Sequence, residues 1–337
     1  MRALILHGPD DLRLEEVLEP EPAPGELILS VEVALTCATD AKMVRQGRHP
    51  ALPPPPAPLG HEAVGTVVAV GVGAPRLLGE RVVVANSAPC GACFFCGRGR
   101  PSLCEDLVYL SGAFAERLRV PARIAARNTL PLPAGLAPAR AAMVEPLACA
   151  VRTVERSAAA PGDVALILGG GVQGLFLTAL LARRGCRVIL CDPHADRRER
   201  ALRFGAAETL PAPRDAAAIA RLRAATPGGR GADAVFEAVG RPEAWEAAVA
   251  LARPGGEVSF HGGCAPGTTA SLDTFALHYL EVTTRGSYHH TPDTVRAALA
   301  HLRDGDAPYD ELLGDPIGLS DVARALAEGG LKRPVLP

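Results

Sequence analysis

Five consecutive apolar residues, Val164-Ala-Leu-Ile-Leu168, run directly into Gly169-Gly-Gly171-Val-Gln-Gly174 and then into a helical pattern over residues 173–184. No other stretch of the chain narrows the possible folds as much. A strand that is apolar at every position is buried on both faces, the condition of a parallel sheet covered by helices. A glycine turn between such a strand and a helix leaves the first helical N–H groups without intrahelical partners, facing an anion. The G-x-G-x-x-G spacing assigns each glycine a task. Gly169 makes the tight turn, Gly171 lets the backbone approach a pyrophosphate, and Gly174 lets the helix pack close to the strand. Val172 and Gln173 complete the turn. Asp192 ends the next strand, Arg187–Cys191, and its carboxylate is suited to ribose hydroxyls and repels a 2′-phosphate, which favours NAD over NADP. Arg197 and Arg198 pull the other way, since either is placed to meet a 2′-phosphate; covering the adenine or forming a solvated helix face are the competing readings.

The same alternation continues on both sides of this turn. Residues 146–156, 195–204 and 242–252 read as helices, and 233–239, 257–260 and 281–286 as strands, which predicts a parallel, doubly wound α/β sheet. The first 145 residues differ. Short β-rich runs at 2–7, 12–17, 26–35, 65–71 and 81–85 are separated by Gly/Pro punctuation, with a short helix expected over 39–45. Residues 50–58 hold six prolines and read as a rigid extended loop that delivers the chain to His61. Glu145 precedes Pro146, which predicts an extended backbone at a domain junction.

Bulk properties exclude several classes. The chain has 337 residues, 48% hydrophobic and 21% charged, with a net charge of −2. That describes a globular protein of one large or two ordinary domains, with no electrostatic case for nucleic acid or a membrane surface. No apolar run approaches the roughly 20 residues that span a bilayer. The first seven residues are too short and too soon broken by Gly8-Pro9 for a signal peptide; a cytoplasmic location is the expectation. In a reducing compartment the nine cysteines are not read as disulfides.

Four of those cysteines, Cys90, Cys93, Cys96 and Cys104, fall within fifteen residues. Thiolates at that spacing can close a tetrahedron around a structural zinc. An iron–sulfur cluster is the rival, though the long last gap and the lack of a following Cys-Pro speak against it. A catalytic metal site needs three protein ligands and an open fourth position. Gly60-His61-Glu62 offers an imidazole and a carboxylate, but no spacing rule joins them to a third ligand. His7, His194, His261 and His301 show no partner pattern, and Trp245 reads as core packing.

Taken in order, a series of segments resembles the zinc-dependent medium-chain alcohol/polyol dehydrogenases, in particular the sorbitol dehydrogenase-like branch. They are Cys37-Ala-Thr-Asp40, Gly60-His-Glu62, the four-cysteine lobe, Ala113-Phe-Ala-Glu116, Glu145-Pro-Leu-Ala-Cys149, the glycine turn with Asp192, Gly231-Ala-Asp-Ala-Val-Phe-Glu-Ala-Val-Gly240 and Arg253-Pro-Gly-Gly256. The resemblance implies a GroES-like, β-rich catalytic domain over 1–145, with its zinc lobe at 86–105. It further implies a Rossmann NAD-binding domain over 146–287 and a C-terminal return to the catalytic domain over 288–337. It implies two zinc ions per chain. The catalytic one would be held by Cys37, His61 and Glu145, with Glu62 as an alternative or outer ligand. Asp40 would orient His61 through its second ring nitrogen, and Thr39 would pass the substrate proton outward. Val239 would join the cofactor-binding residues. The implied reaction is reversible hydride transfer from a secondary alcohol, polyol or sugar-derivative hydroxyl to NAD, in a homodimer or homotetramer whose contact could include strand 281–286.

Two departures stand out. Lys42 occupies a place where relatives often carry histidine; proton relay, an anionic substrate and plain solvation are the competing readings. Ser287-Tyr-His-His-Thr-Pro292 lacks the Arg-Tyr pair of sorbitol enzymes, leaving Tyr288 and His289, with His290, as substrate-pocket candidates. The alternatives carried forward are an NADP-dependent carbonyl reductase and a non-catalytic dinucleotide-binding regulator on the same fold.

Overall fold

The computed structural model describes residues 1–49 and 51–337. The chain forms two compact units: Met1–Ala148 with His290–Gly305 and Tyr309–Pro337, and Cys149–His289 with Asp306–Pro308. The division falls inside the helix Val144–Arg156.

The first unit is built on one mixed sheet. Its central strand, Leu27–Leu35, pairs antiparallel with Ala63–Val70, which pairs in turn with Arg81–Val84. On its other side the central strand pairs with Pro334–Leu336 and with Arg117–Val120. Leu27, Leu29 and Val31 alternate along it and join Val67, Val82, Val84, Phe114 and Leu118 in one core, as a strand with a period of two residues requires. Gly65 is needed for this pairing, because a Cβ there would stand 2.3 Å from the Ser30 carbonyl oxygen. The register then places the site. The ladder ends at Ala34 opposite Ala63, and Leu35 N–H still donates to the Glu62 carbonyl at 3.1 Å. Cys37 and His61 therefore leave neighbouring strands at the same end.

Two expectations fail here. Glu145 is not extended; it lies in the first turn of Val144–Arg156. Pro146 in that turn lacks only an N–H that has no intrahelical acceptor, so the proline effect on its neighbour is outweighed. The proline-rich run is not extended throughout either. It bends at Pro55 and Pro56 before Ala57–Pro58 pairs with Ile5 and Leu6; Pro50, at its start, lies outside the described residues.

The second unit is a six-stranded, wholly parallel sheet. Its order is Glu208–Leu210, Arg187–Cys191, Val164–Leu168, Ala232–Glu237, Ala252–Phe260, Thr283–Gly286. This is the doubly wound α/β arrangement expected from the apolar strands. Sequence reading missed the short strand Glu208–Leu210 and the helix Ala216–Ala224, which Asp215 caps by accepting from Ala218 N–H at 2.7 Å. Gly174 is fixed by packing, since a Cβ there would lie 1.8 Å from the Gly169 carbonyl oxygen. Among the described residues no helix is long and apolar enough to cross a membrane.

Candidate metal centres and cofactor turn

The cysteine lobe in the first unit is already shaped for one ion. All four sulfur atoms lie within 4.8 Å of one another. Cys90 Sγ and Cys96 Sγ are 4.0 Å apart, and Cys93 Sγ and Cys104 Sγ are 3.9 Å apart. A tetrahedron with zinc–sulfur bonds of about 2.3 Å has edges of about 3.8 Å. Sulfurs this close leave room for a single ion and not for a cluster of irons. Backbone groups supply further order: Ala92 and Cys93 N–H donate to Cys90 Sγ at 3.4 and 3.3 Å. Those two donors bring the Cys90 thiol down to about 6, favouring the thiolate that a metal needs.

The second cluster follows from a helix cap. Cys37 caps the helix Ala38–Gln46; its sulfur accepts from Thr39 N–H at 3.5 Å, and Asp40 Oδ2 accepts from Cys37 N–H at 3.1 Å. This reciprocal cap leaves Asp40 Oδ1 for the His61 ring, 2.9 Å from Nδ1. With Nδ1–H donating to the buried carboxylate, Nε2 is left as the ligating nitrogen. Burial opposes a charged His61 imidazole, yet the Asp40 carboxylate and the Cys37 sulfur hold it well above its ordinary value. Cys37, His61 and Glu62 present ligand atoms within 4.8 Å of one another. One thiolate, one imidazole and one carboxylate form a donor set that suits zinc.

Glu62 has a second partner. Both of its oxygens lie 2.6 Å from Lys332 Nζ, and all three groups, His61, Glu62 and Lys332, are buried. Lys332 arrives there because Pro334 pairs with Leu35, while Arg333 N–H donates to Thr36 Oγ1 at 2.9 Å. Sequence reading missed Lys332. Its one signal was rarity: the chain's only lysines are Lys42 and Lys332.

Glu145 does not join the Cys37–His61–Glu62 cluster. It is buried, and burial raises its carboxyl to about 7, with the charges of His61, Glu62, Lys332 and Asp40 acting on it as well. Its Oε1 lies 3.9 Å from Nε2 of the buried His290, which also meets Asn86 Oδ1 at 2.9 Å. Thr39 and Lys42 are exposed on the capped helix. Tyr288 is exposed and stacks on His289, ring centroids 5.5 Å apart; these two belong to the second unit, whereas His290 belongs to the first.

In the second unit the glycine turn is open where a pyrophosphate would come. Gly169 adopts φ 102°, and nothing lies within 4 Å of the Cβ position of Gly171. Asp192 is buried; its Oδ2 accepts from Gly170 N–H at 2.7 Å and its Oδ1 from His194 N–H at 2.8 Å. Arg197 Nη1 stands 3.6 Å from Asp192 Oδ2. Arg198 instead donates to the Asp192 and Pro193 carbonyls. Val239 abuts the turn, its Cγ2 3.0 Å from the Cβ position of Gly169.

Comparison with known proteins decides the family. Erythritol/L-threitol dehydrogenase of Mycolicibacterium smegmatis is 32% identical to this chain, over 97% of the chain and 93% of its own length. The chain belongs to the zinc-dependent medium-chain alcohol/polyol dehydrogenase family. It is thus an oxidoreductase. Another relative, L-galactonate-5-dehydrogenase of Escherichia coli, is 32% identical over 93% of this chain and 90% of its own. The model of the alcohol dehydrogenase GroES-like domain matches residues 23–133, and that of the zinc-binding dehydrogenases matches 173–304. A solved structure assigned as a zinc-binding dehydrogenase of Sinorhizobium meliloti 1021, bound to NADP, is 29% identical with a TM-score of 0.89, covering 100% of this chain and 99% of that one. The sequence-level expectation of a GroES-like catalytic domain with a Rossmann sheet is met in this dehydrogenase.

Proposed function

We propose that this dehydrogenase oxidises a secondary hydroxyl of a polyol or sugar derivative, reversibly, with NAD as hydride acceptor. The observation that carries the reading is the cluster of half-buried Cys37 with buried His61 and Glu62, His61 being locked by Asp40. A non-catalytic regulator has no use for a complete, oriented donor set. Polyol and aldonate dehydrogenases among the relatives support the substrate class.

The residues divide as follows. Cys37 and His61 hold the catalytic zinc, and a carboxylate, Glu145 or Glu62, completes the set. Zinc supplies Lewis acidity that makes the substrate hydroxyl easier to deprotonate. Asp40 keeps His61 Nε2 turned to the metal. Thr39, exposed at the start of the capped helix, takes the hydroxyl proton outward. Cys90, Cys93, Cys96 and Cys104 hold the structural zinc. Gly169, Gly171, Gly174, Val172, Gln173 and Val239 form the floor of the dinucleotide site, and Asp192 faces the adenosine ribose. Tyr288 and His289 are the substrate-side candidates of the second unit. The NADP-bound neighbour makes NADP the second reading of the cofactor, with Arg197 as the cation that would serve it. The strand Thr283–Gly286 stands at the edge of the parallel sheet and is the contact we assign to a homodimer.

The test is a screen of tetritols, pentitols, hexitols and aldonates against NAD and NADP, followed by absorbance of the reduced cofactor, with metal analysis of the same preparation. Turnover of at least one polyol or aldonate with NAD, and two zinc ions per chain, is the expected result. One zinc per chain with no turnover on any polyol or aldonate would overturn the proposal; faster turnover with NADP would overturn the cofactor assignment alone.

A further inference from the structure

His261 carries no motif in the sequence, yet in the second unit it sits at the middle of a continuous hydrogen-bonded path. Thr153 Oγ1 lies 2.7 Å from His261 Nδ1 and 2.8 Å from Ser287 Oγ, and His261 Nε2 lies 3.0 Å from Gln173 Oε1. Gln173 Oε1 can only accept, so Nε2 carries the proton toward it. Thr153 Oγ1 links Nδ1 to Ser287 Oγ, to which it donates, and also reaches the Cys149 carbonyl at 3.0 Å. Burial favours the neutral imidazole, pushing His261 down to about 4.

The path joins three places that a dinucleotide must touch. Gln173 stands in the first turn of the helix Val172–Arg183, beside the N–H groups that face a pyrophosphate. His261 and Ser287 directly follow the strands Ala252–Phe260 and Thr283–Gly286. In an open parallel sheet the ligand lies across the carboxyl ends of the strands at the point where their order reverses. Here that point lies between Val164–Leu168 and Ala232–Glu237. Asp192, after Arg187–Cys191, marks the adenosine side. The nicotinamide half therefore falls on the other side, over the ends of Ala232–Glu237, Ala252–Phe260 and Thr283–Gly286.

We infer that His261 is a positioning residue: through Thr153, Ser287 and Gln173 it fixes the two strand ends that support the nicotinamide half at a set distance from the pyrophosphate turn. Further contacts hold the His261 segment itself in place. His261 N–H and Gly262 N–H donate to the Glu237 carbonyl at 2.9 and 2.8 Å. Trp245 stacks on Phe260 at 3.9 Å and donates from Nε1 to the Gly262 carbonyl at 3.1 Å. The pyrophosphate turn is made of backbone and does not need the imidazole. Loss of the path should therefore loosen the nicotinamide half selectively. The inference rests on the dinucleotide reading of the glycine turn.

ADP-ribose, which lacks the nicotinamide, separates the two halves. Binding of NADH would be followed by nicotinamide fluorescence and binding of ADP-ribose by competition, for the wild type and for Thr153→Val, Thr153→Ser and Ser287→Ala, with melting temperature recorded alongside. Thr153→Val keeps the shape and removes the hydroxyl; Ser287→Ala removes only the end link, at a half-buried position, and serves if the valine variant folds poorly. NADH affinity is expected to fall about ten-fold in Thr153→Val and Ser287→Ala while ADP-ribose affinity changes less than two-fold, with Thr153→Ser near wild type. Equal losses for NADH and ADP-ribose, or a lower melting temperature with NADH affinity unchanged, would overturn the inference. If the wild type binds neither NADH nor NADPH, the dinucleotide reading itself fails, a result distinct from the other two. A wild type that prefers NADPH is tested with NADPH and 2′-phospho-ADP-ribose in the same way.

Discussion

Lys332 Nζ stands 2.6 Å from each carboxylate oxygen of Glu62, a residue 270 positions earlier in the chain. The ammonium donates to the Thr36 carbonyl as well, at 3.3 Å. Burial raises the Glu62 carboxyl from its ordinary value, while Lys332 works in the opposite direction. The carboxylate 3.9 Å from His61 Nε2 is thus shared between a candidate metal position and a fixed cation.

Removing one member of such a pair leaves an uncompensated buried charge, which costs about 3–5 kcal/mol. Lys332→Met is expected to lower stability by that order in urea denaturation. The double variant Glu62→Gln with Lys332→Met should recover more than half of the loss. A single variant as stable as the wild type would mean that the pair is not formed.

Asp40 reaches His61 Nδ1 at 2.9 Å and closes the helix cap on Cys37 with its other oxygen. Replacing such an outer partner typically lowers metal affinity 10–100-fold. Asp40→Asn should therefore hold one zinc per chain tightly and lose the other to a chelator at concentrations that spare the wild type. Turnover should fall with the second zinc. Retention of both ions under the same chelator would show that His61 needs no such lock.

Asp233, in the second unit, gives a pH dependence of its own. Burial raises its carboxyl, but Arg253 Nε at 2.6 Å and Val164 N–H at 2.8 Å outweigh this and hold it below its ordinary value of 3.8. The folded state thus favours the ionised form. The stabilisation is present above the unfolded value and is lost as pH falls through the folded one. Asp233→Asn should cost about 1 kcal/mol at pH 7, and the difference from wild type should shrink as pH falls below 3.8 and on through the folded value. A constant difference across that range would assign the effect to shape instead of charge.

How much of this could be read without coordinates depends on the residue. The strands Val164–Leu168 and Arg187–Cys191 are read from sequence with their observed boundaries, because both are apolar runs cut off by glycine or by Asp192. The four cysteines were legible for a similar reason: their ligand atoms come from one short segment. Glu145 was misread as extended because a neighbour rule about proline was applied without knowing that the helix began at Val144. Helix Ala216–Ala224 was missed because its run of alanine and arginine has almost no apolar period. His261 was unreadable, since Thr153, Gln173 and Ser287 have no sequence spacing that links them to it.

By itself the sequence determined the parallel sheet, the glycine turn, the four-cysteine lobe and, by resemblance, the family. These are properties of contiguous segments, where periodicity and spacing carry the geometry directly. Tertiary structure alone decided that Lys332 neutralises Glu62, that the Asp40 carboxylate expected to orient His61 also closes a helix cap, and that His261 joins two strand ends to the glycine turn. Each depends on which strands pair and in what register. A one-residue slip between Leu27–Leu35 and Ala63–Val70 would turn every side chain to the opposite face, and that register is set by burial summed over the whole core.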